Sequence, residues 1–145
     1  MPDVHYYETT VKWDKDRIGN ISADGMPDVT VATPPEFPKG VPDIWSPEHL
    51  FVASVNICLM TTFLAIADNS NLQFKSFSSK AKGKLEKVDG KFAISEIELN
   101  PSVTVTQEKD VERAKRIIDK AEQNCLISNS IKSKIILNPE VNLEA

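Results

Sequence analysis

The sequence has few glycines, few histidines and only two cysteines, and each shortage excludes a class of protein. Its five glycines form no G-x-G-x-x-G or P-loop pattern, so we expect no phosphate-binding loop and no nucleotide cofactor. The two histidines, His5 and His49, stand outside any C-x-x-C or H-x-x-x-H setting, so we expect no metal site. Two cysteines are too few for a disulfide scaffold and favour a cytoplasmic protein with reduced thiols.

Charge and chain length restrict the protein further. A net charge of −4 gives no reason to expect nucleic acid or an anionic membrane as a partner. The first residues, M-P-D-V-H-Y-Y, do not place a basic region before an apolar one, so no secretory signal is expected. A length of 145 residues with ordinary hydrophobic content predicts one globular domain over residues 1–145.

One apolar stretch dominates the chain, because no charged residue occurs from Leu50 to Ala67. Ser46, Pro47 and Glu48 precede it and are typical of the first turn of a helix. The stretch approaches the length of a membrane span, but polar residues interrupt it and no basic cluster flanks it. We therefore expect a helix buried in protein. One small fold has difficulty covering such a helix on every side, which indicates an oligomer.

The rest of the pattern predicts strands and one more helix. A long hairpin turns at Asp89-Gly90, and a register shift between Ile94 and Ile97 indicates a bulge. Apolar residues at steps of three and four predict an amphipathic helix that ends at Cys125. The predicted elements are strands over 4–13, 17–23 and 28–32, the helix over 45–70, strands over 74–88 and 91–105, the helix over 108–125 and a last strand over 132–137. This order indicates an α+β fold of antiparallel strands around a long buried helix.

Two interpretations of the cysteines are open. Cys58 and Cys125 are each placed on the inward face of a predicted helix, where a free thiol can serve as a small hydrophobic side chain. Alternatively they form a redox pair, in which one thiolate is oxidised to a sulfenic acid and the other resolves it as a disulfide.

A reactive thiolate needs a cationic group near it, and Arg17 is the candidate. Glu48 is its natural partner, since a carboxylate binds a guanidinium by two parallel hydrogen bonds. The simpler roles are a solvated arginine at a strand edge and a carboxylate at a helix start. Glu48 and Cys58 are ten residues apart, roughly 15 Å along a straight helix. If both serve one site, the helix is broken or the site is shared across a dimer.

Two stretches resemble the OsmC/Ohr family, the osmotically inducible and organic-hydroperoxide-resistance proteins. The first is S-P-E-H-L-F-V-A-S-V-N-I-C, in which a Pro-Glu pair opens the central helix and a cysteine follows ten residues after the glutamate. The second is A-E-Q-N-C-L-I-S, in which a cysteine closes an amphipathic helix and a serine follows. The element order matches as well. The chain departs from the family at Leu126, where members often have proline.

The resemblance implies an OsmC-like fold that forms an intertwined homodimer with its sites at the subunit interface. It implies Cys58 as the peroxidatic cysteine, Cys125 as the resolving one, and an Arg17–Glu48 pair that activates the thiol. It further implies a peroxidase that reduces organic hydroperoxides, needs no cofactor, and is regenerated by a dithiol reductant. A non-enzymatic dimer of this fold that binds a small apolar ligand stays open, as does an interaction domain with two inert thiols.

Overall fold

The computed structural model describes residues 3–144, which divide by their contacts into two units between Leu50 and Phe51. The first unit is built on three strands and a proline-rich loop. The second contains the hairpin, the second helix and two further strands. One long helix begins in the first unit and continues into the second.

The first unit contains the predicted meander, with its strands paired antiparallel in chain order. The strand predicted over 4–13 is later in the chain than expected, because the turn before the second strand uses only Asp16 and Arg17. Asp16 adopts a φ of 50°, which aspartate tolerates, and its carbonyl accepts a hydrogen bond of 3.0 Å from the Trp13 indole. The three strands are β1 (Thr10–Lys15), β2 (Ile18–Ser22) and β3 (Val29–Ala32).

The long helix, α1 (Pro47–Asn69), begins as its sequence predicts. Ser46 is fully buried, and its hydroxyl accepts a hydrogen bond of 3.1 Å from the His49 backbone N–H. The same hydroxyl lies 2.7 Å from His49 Nδ1. Ser46 therefore caps the helix, and Pro47 occupies its first position, where no N–H is needed.

Within the second unit α1 buries one side and exposes another. Val55, Leu59 and Phe63 are fully buried, and Phe63 lies edge-on to Phe74 with ring centroids 5.3 Å apart. The opposite side leaves apolar residues open to solvent, namely Ile57 at 56%, Met60 at 37% and Leu64 at 40%. By length and composition alone α1 could cross a membrane, a test that the core helix of a soluble protein also passes. The second unit therefore covers only one side of a helix that the sequence predicted to be buried on every side.

A long antiparallel hairpin, β4 (Ser76–Val88) and β5 (Lys91–Val105), confirms the prediction around Asp89-Gly90. Gly90 and Asp89 both adopt positive φ, as a tight turn between twisted strands requires. The expected bulge is present, because Lys84 pairs with Glu96 and Leu85 pairs with Ile94. Ser95 is therefore the extra residue, and its hydroxyl bonds to Glu86.

The second edge of β5 pairs with two strands that run parallel to it, so the sheet is mixed rather than purely antiparallel. The strand predicted over 132–137 does stop before Asn138-Pro139, but the prediction that it is the last strand was wrong, because a further strand follows. Asn138 still donates its N–H to the Leu99 carbonyl, and Pro139 then interrupts the pairing for lack of an N–H. The chain resumes its parallel pairing with β5 where Glu140 lies opposite Ser102. The two strands are β6 (Lys134–Leu137) and β7 (Glu140–Leu143).

The second helix, α2 (Lys109–Gln123), packs its apolar stripe into the core of the second unit and ends two residues before Cys125. The helix is strongly amphipathic, as predicted. The prediction that Cys125 belongs to this helix was wrong. Asn124 leaves helical geometry, with φ −104° and ψ 10°, and its side-chain amide bonds to the Lys120 carbonyl at 2.8 Å. Cys125 is the first residue of the connection that follows.

Candidate functional site

The two cysteines are neighbours in the second unit, and both are free thiols. Cys58 lies near the middle of α1 with 8% of its surface exposed, and Cys125 is fully buried. The two thiols are close enough to shift each other's pKa, with Cys125 acting as the hydrogen-bond donor. Residues 67 positions apart are thus brought together by a helix and by the turn after a second helix, as a redox pair requires.

The turn after α2 surrounds the sulfur of Cys58 with backbone donors. The N–H groups of Ile127 and Leu126 both act on this sulfur and lower the pKa of Cys58. A short 3-10 helix (Ser128–Ser130) holds the turn, with the Asn129 N–H on the Cys125 carbonyl at 3.1 Å and the Ser130 N–H on the Ile127 carbonyl at 3.0 Å. Leu126 supplies a donor that a proline at this position would lack.

Thr62 completes the surroundings of Cys58. It lies one turn further along α1, and its hydroxyl oxygen is 3.9 Å from the Cys58 sulfur. When Cys58 is ionised the sulfur can only accept, so Thr62 donates. Four groups from two segments therefore act on Cys58 as hydrogen-bond donors and lower its pKa: the thiol of Cys125, the hydroxyl of Thr62 and the N–H groups of Leu126 and Ile127.

These contacts separate the pKa values of the two thiols. Burial raises the pKa of Cys58, but the hydrogen bonds from Ile127, Cys125, Thr62 and Leu126 together outweigh it, so this pKa lies below its ordinary value. Burial raises the pKa of Cys125, and the neighbouring Cys58 raises it further. The side chain and backbone N–H of Ser128 lower it only in part. Cys58 therefore ionises first, and Cys125 keeps its proton.

Two polar side chains lie beside Cys125. Glu122, in the last turn of α2, is half buried, and burial raises the pKa of its carboxyl while the Ser128 hydroxyl lowers it. The buried oxygens Glu122 Oε2 and Ser128 Oγ complete no hydrogen bond of good geometry within the described residues. Ser128 is thus close to both the Cys125 thiol and the Glu122 carboxyl but completes a hydrogen bond of good geometry with neither.

The sequence contained signals for residues that the prediction did not select. Thr62 follows Cys58 by four residues and Glu122 precedes Cys125 by three, spacings that put side chains on one helix face. The backbone donors of Leu126 and Ile127 left no such signal, since any residue but proline supplies an N–H.

Arg17 and Glu48 lie in the first unit. Arg17 is exposed in the turn before β2, and its carbonyl accepts a hydrogen bond from the Thr33 N–H at 3.3 Å. Glu48 is in the first turn of α1, with Oε1 buried and unpaired in residues 3–144. Neither side chain forms an ion pair within those residues, so the predicted Arg17–Glu48 pair is not made in one protomer. The helix α1 is unbroken from Pro47 to Asn69, so the broken helix that would have brought Glu48 and Cys58 into one site is not present.

No group of three or more potential metal ligands occurs in the described part of the chain. The donor set around Cys58 consists of hydrogen-bond donors, which suit a thiolate or a developing negative charge rather than a cation. Two adjacent free thiols, one with a lowered and one with a raised pKa, suit thiol–disulfide chemistry.

Comparison with known proteins places this chain in a family. The family model for OsmC-like proteins matches residues 40–140. An uncharacterised protein of Bacillus subtilis, YmaD, is 24% identical over 149 residues, which cover 99% of this chain and 97% of that protein.

Two solved structures illustrate the similarity of fold. An OsmC-like protein of unknown function from Vibrio cholerae superposes with a TM-score of 0.85 at 24% identity, covering 94% of this chain and 99% of that one. An organic hydroperoxide resistance protein from Elizabethkingia anophelis has a TM-score of 0.78 at 23% identity, covering 99% of this chain and 100% of that one. Since the family model spans more than two thirds of the residues, the chain belongs to the OsmC-like family.

Proposed function

We propose that this protein is a thiol-dependent peroxidase that reduces organic hydroperoxides, with Cys58 as the peroxidatic residue and Cys125 as the resolving one. The observation that carries the proposal is the pair of adjacent thiols whose pKa values are shifted in opposite directions. Two inert core cysteines need no such arrangement of donors. The similarity to an organic hydroperoxide resistance protein suggests the substrate class.

In the first step the Cys58 thiolate attacks the distal oxygen of the hydroperoxide. The O–O bond breaks, the alkoxide takes a proton and leaves as an alcohol, and Cys58 becomes a sulfenic acid. The N–H groups of Leu126 and Ile127 and the Thr62 hydroxyl hold the negative charge before attack. They do this without a metal or a flavin.

In the second step Cys125 attacks the Cys58 sulfenic sulfur. A disulfide forms, the S–O bond breaks, and hydroxide leaves as water after it takes a proton. A dithiol reductant then restores both thiols by exchange. The hydrogen bond between the two thiols means that the resolving sulfur is already beside its target.

We further propose that the protein works as a homodimer. The apolar residues that α1 leaves exposed, Ile57, Met60 and Leu64, suit a second copy of the chain. The roles of Arg17 and Glu48, as the pair that activates the thiol, rest on the family resemblance. The buried and unpaired Oε1 of Glu48 is in keeping with a guanidinium partner.

The test is titration of free thiols with cumene hydroperoxide. The wild type is expected to lose both thiols per equivalent of peroxide and to release cumyl alcohol, whereas Cys58→Ser keeps its remaining thiol. Cys125→Ser is expected to lose one thiol and to accumulate a sulfenic acid that dimedone traps. Equal peroxide consumption by the wild type and Cys58→Ser would reject the proposal. A ligand-binding scaffold would keep both thiols reduced and copurify with an apolar ligand.

A further inference from the structure

Glu122 and Ser128 form a pair of buried polar groups that the peroxidase scheme does not yet use. Glu122 Oε2 and Ser128 Oγ are both shielded from solvent, and neither completes a hydrogen bond in residues 3–144. Buried oxygens are nearly always bonded, so two unsatisfied ones side by side require a reason. No cation pairs with Glu122 in the same residues, so a salt bridge does not supply one.

Ser128 connects the carboxyl to the site. It follows Cys125 by three residues in the turn after α2, and its hydroxyl acts on both the Cys125 thiol and the Glu122 carboxyl. Its backbone N–H also points to the Cys125 sulfur. The Ser128 hydroxyl is therefore close enough to influence both the Cys125 thiol and the Glu122 carboxyl, which is the position needed to pass a proton from one to the other.

The resolving step creates the need for such a path. Cys125 keeps its proton while Cys58 ionises, yet only a thiolate attacks sulfenic sulfur efficiently. The backbone N–H groups of Leu126 and Ile127 beside Cys58 cannot accept that proton, because an amide N–H is only a donor. A half-buried carboxyl whose pKa is raised by burial is a better proton acceptor than an ordinary one.

We propose that Glu122, acting through Ser128, takes the proton of Cys125 as the disulfide closes. The Cys125 proton passes to Ser128 Oγ while the Ser128 proton passes to Glu122 Oε2. The Cys125 sulfur forms the S–S bond, the S–O bond of the sulfenic acid breaks, and the departing hydroxide becomes water with the proton that Glu122 releases. This inference rests on the proposed function for its oxidant, the hydroperoxide, and adds a positioning residue to its second step.

Closure can be measured without peroxide. One equivalent of methyl methanethiosulfonate converts the Cys58 thiolate to an S-methyl mixed disulfide, and attack by Cys125 then releases methanethiol. Quenched-flow mass spectrometry follows the loss of the S-methyl group. At neutral pH we expect Glu122→Gln and Ser128→Ala to close roughly 10²-fold more slowly than wild type, the size of a general-base contribution. Glu112→Gln is the matched control, since Glu112 is an exposed carboxylate on the same helix.

The pH profile separates proton transfer from a structural role. Both variants are expected to regain the wild-type rate at alkaline pH, where Cys125 ionises unaided. An equal slowing at every pH, or wild-type rates in both variants, would overturn the inference. If a variant fails to fold, the pH profile of the wild type tests the inference instead. As the pH rises, the closure rate of the wild type is expected to reach a plateau in the pH range in which a carboxyl of raised pKa titrates. A wild-type closure rate that keeps rising with pH until the thiol of Cys125 titrates would overturn the inference.

The peroxide experiment and the mixed-disulfide experiment test different proposals, and either proposal can be contradicted without the other. If cumene hydroperoxide leaves both thiols reduced, the peroxidase proposal is wrong, whatever the closure rates are. If the peroxide oxidises both thiols but closure ignores Glu122, only the proton path is wrong. Dimedone trapping gives a further check, because Glu122→Gln is expected to accumulate Cys58 sulfenic acid after peroxide while Glu112→Gln is not.

Discussion

Cys125 lies beside Cys58 as a hydrogen-bond donor, and this contact shifts the pKa values of the two thiols in opposite directions. The donated bond favours ionisation of Cys58, and the same proximity disfavours ionisation of Cys125. The first step of a two-step oxidation requires an ionised nucleophile, and the second step requires the resolving thiol to give up its proton. The difference arises from the surroundings, because a cysteine side chain alone carries no such preference.

Removal of the Cys125 donor is expected to raise the pKa of Cys58. In Cys125→Ala the Cys58 thiolate loses one of its four hydrogen bonds, so a smaller fraction is ionised at neutral pH. We expect alkylation of Cys58 by iodoacetamide at pH 7 to slow roughly 2- to 10-fold, the equivalent of one hydrogen bond. The measurement is the alkylation rate between about pH 5 and pH 10, resolved by peptide mass.

The reciprocal variant, Cys58→Ala, is expected to shift Cys125 in the other direction. Cys58 raises the pKa of Cys125, so its removal lowers that pKa and alkylation of Cys125 rises at a given pH. Burial still acts on Cys125, so its pKa stays elevated. Unchanged titrations in both variants would mean that the thiols do not influence one another.

Loss of the Thr62 hydroxyl is expected to weaken Cys58 as a nucleophile. Thr62→Val keeps the shape of the side chain and removes the donor that lies 3.9 Å from the sulfur. The pKa of Cys58 should rise, and its alkylation at neutral pH should slow roughly 2- to 10-fold. Thr61→Val is the matched control, because the Thr61 hydroxyl donates instead to the Cys58 carbonyl at 3.2 Å. Equal rates for the two variants would contradict a role for Thr62.

Leu126 provides a test of a backbone donor. Its side chain is 67% exposed, so its replacement removes little packing, and its N–H points to the Cys58 sulfur. Leu126→Pro lacks that N–H, whereas Leu126→Ala keeps it. We expect the proline variant to raise the pKa of Cys58 and the alanine variant to leave the alkylation profile unchanged. Coincident profiles for the two variants would show that the N–H of residue 126 does not stabilise the thiolate.

The sequence was sufficient to predict both helices, the long hairpin and the two candidate cysteines, because helix-start signals, an uncharged apolar stretch and periodic apolar residues are local features. It placed Cys125 in α2, since the apolar period continues to that residue; Asn124 ends the helix earlier through its own bond to Lys120. It missed β7, because Pro139 marks a strand end in sequence whether or not the chain resumes pairing. The donors on Cys58 could not be predicted, since two are backbone groups oriented by a turn that leaves no periodic pattern.

The apolar side of α1 gives a prediction about assembly. Leu64 is 40% exposed in the protomer and lies on the same side as Ile57 and Met60. If a second copy covers this side, Leu64→Glu buries a charge in the interface and should convert a dimer to a monomer in sedimentation velocity at micromolar concentration. Val88→Glu is the control, because Val88 is 44% exposed at the end of β4. A monomeric wild type would contradict the dimer. A wild type and Leu64→Glu variant that sediment alike as dimers would place the interface elsewhere.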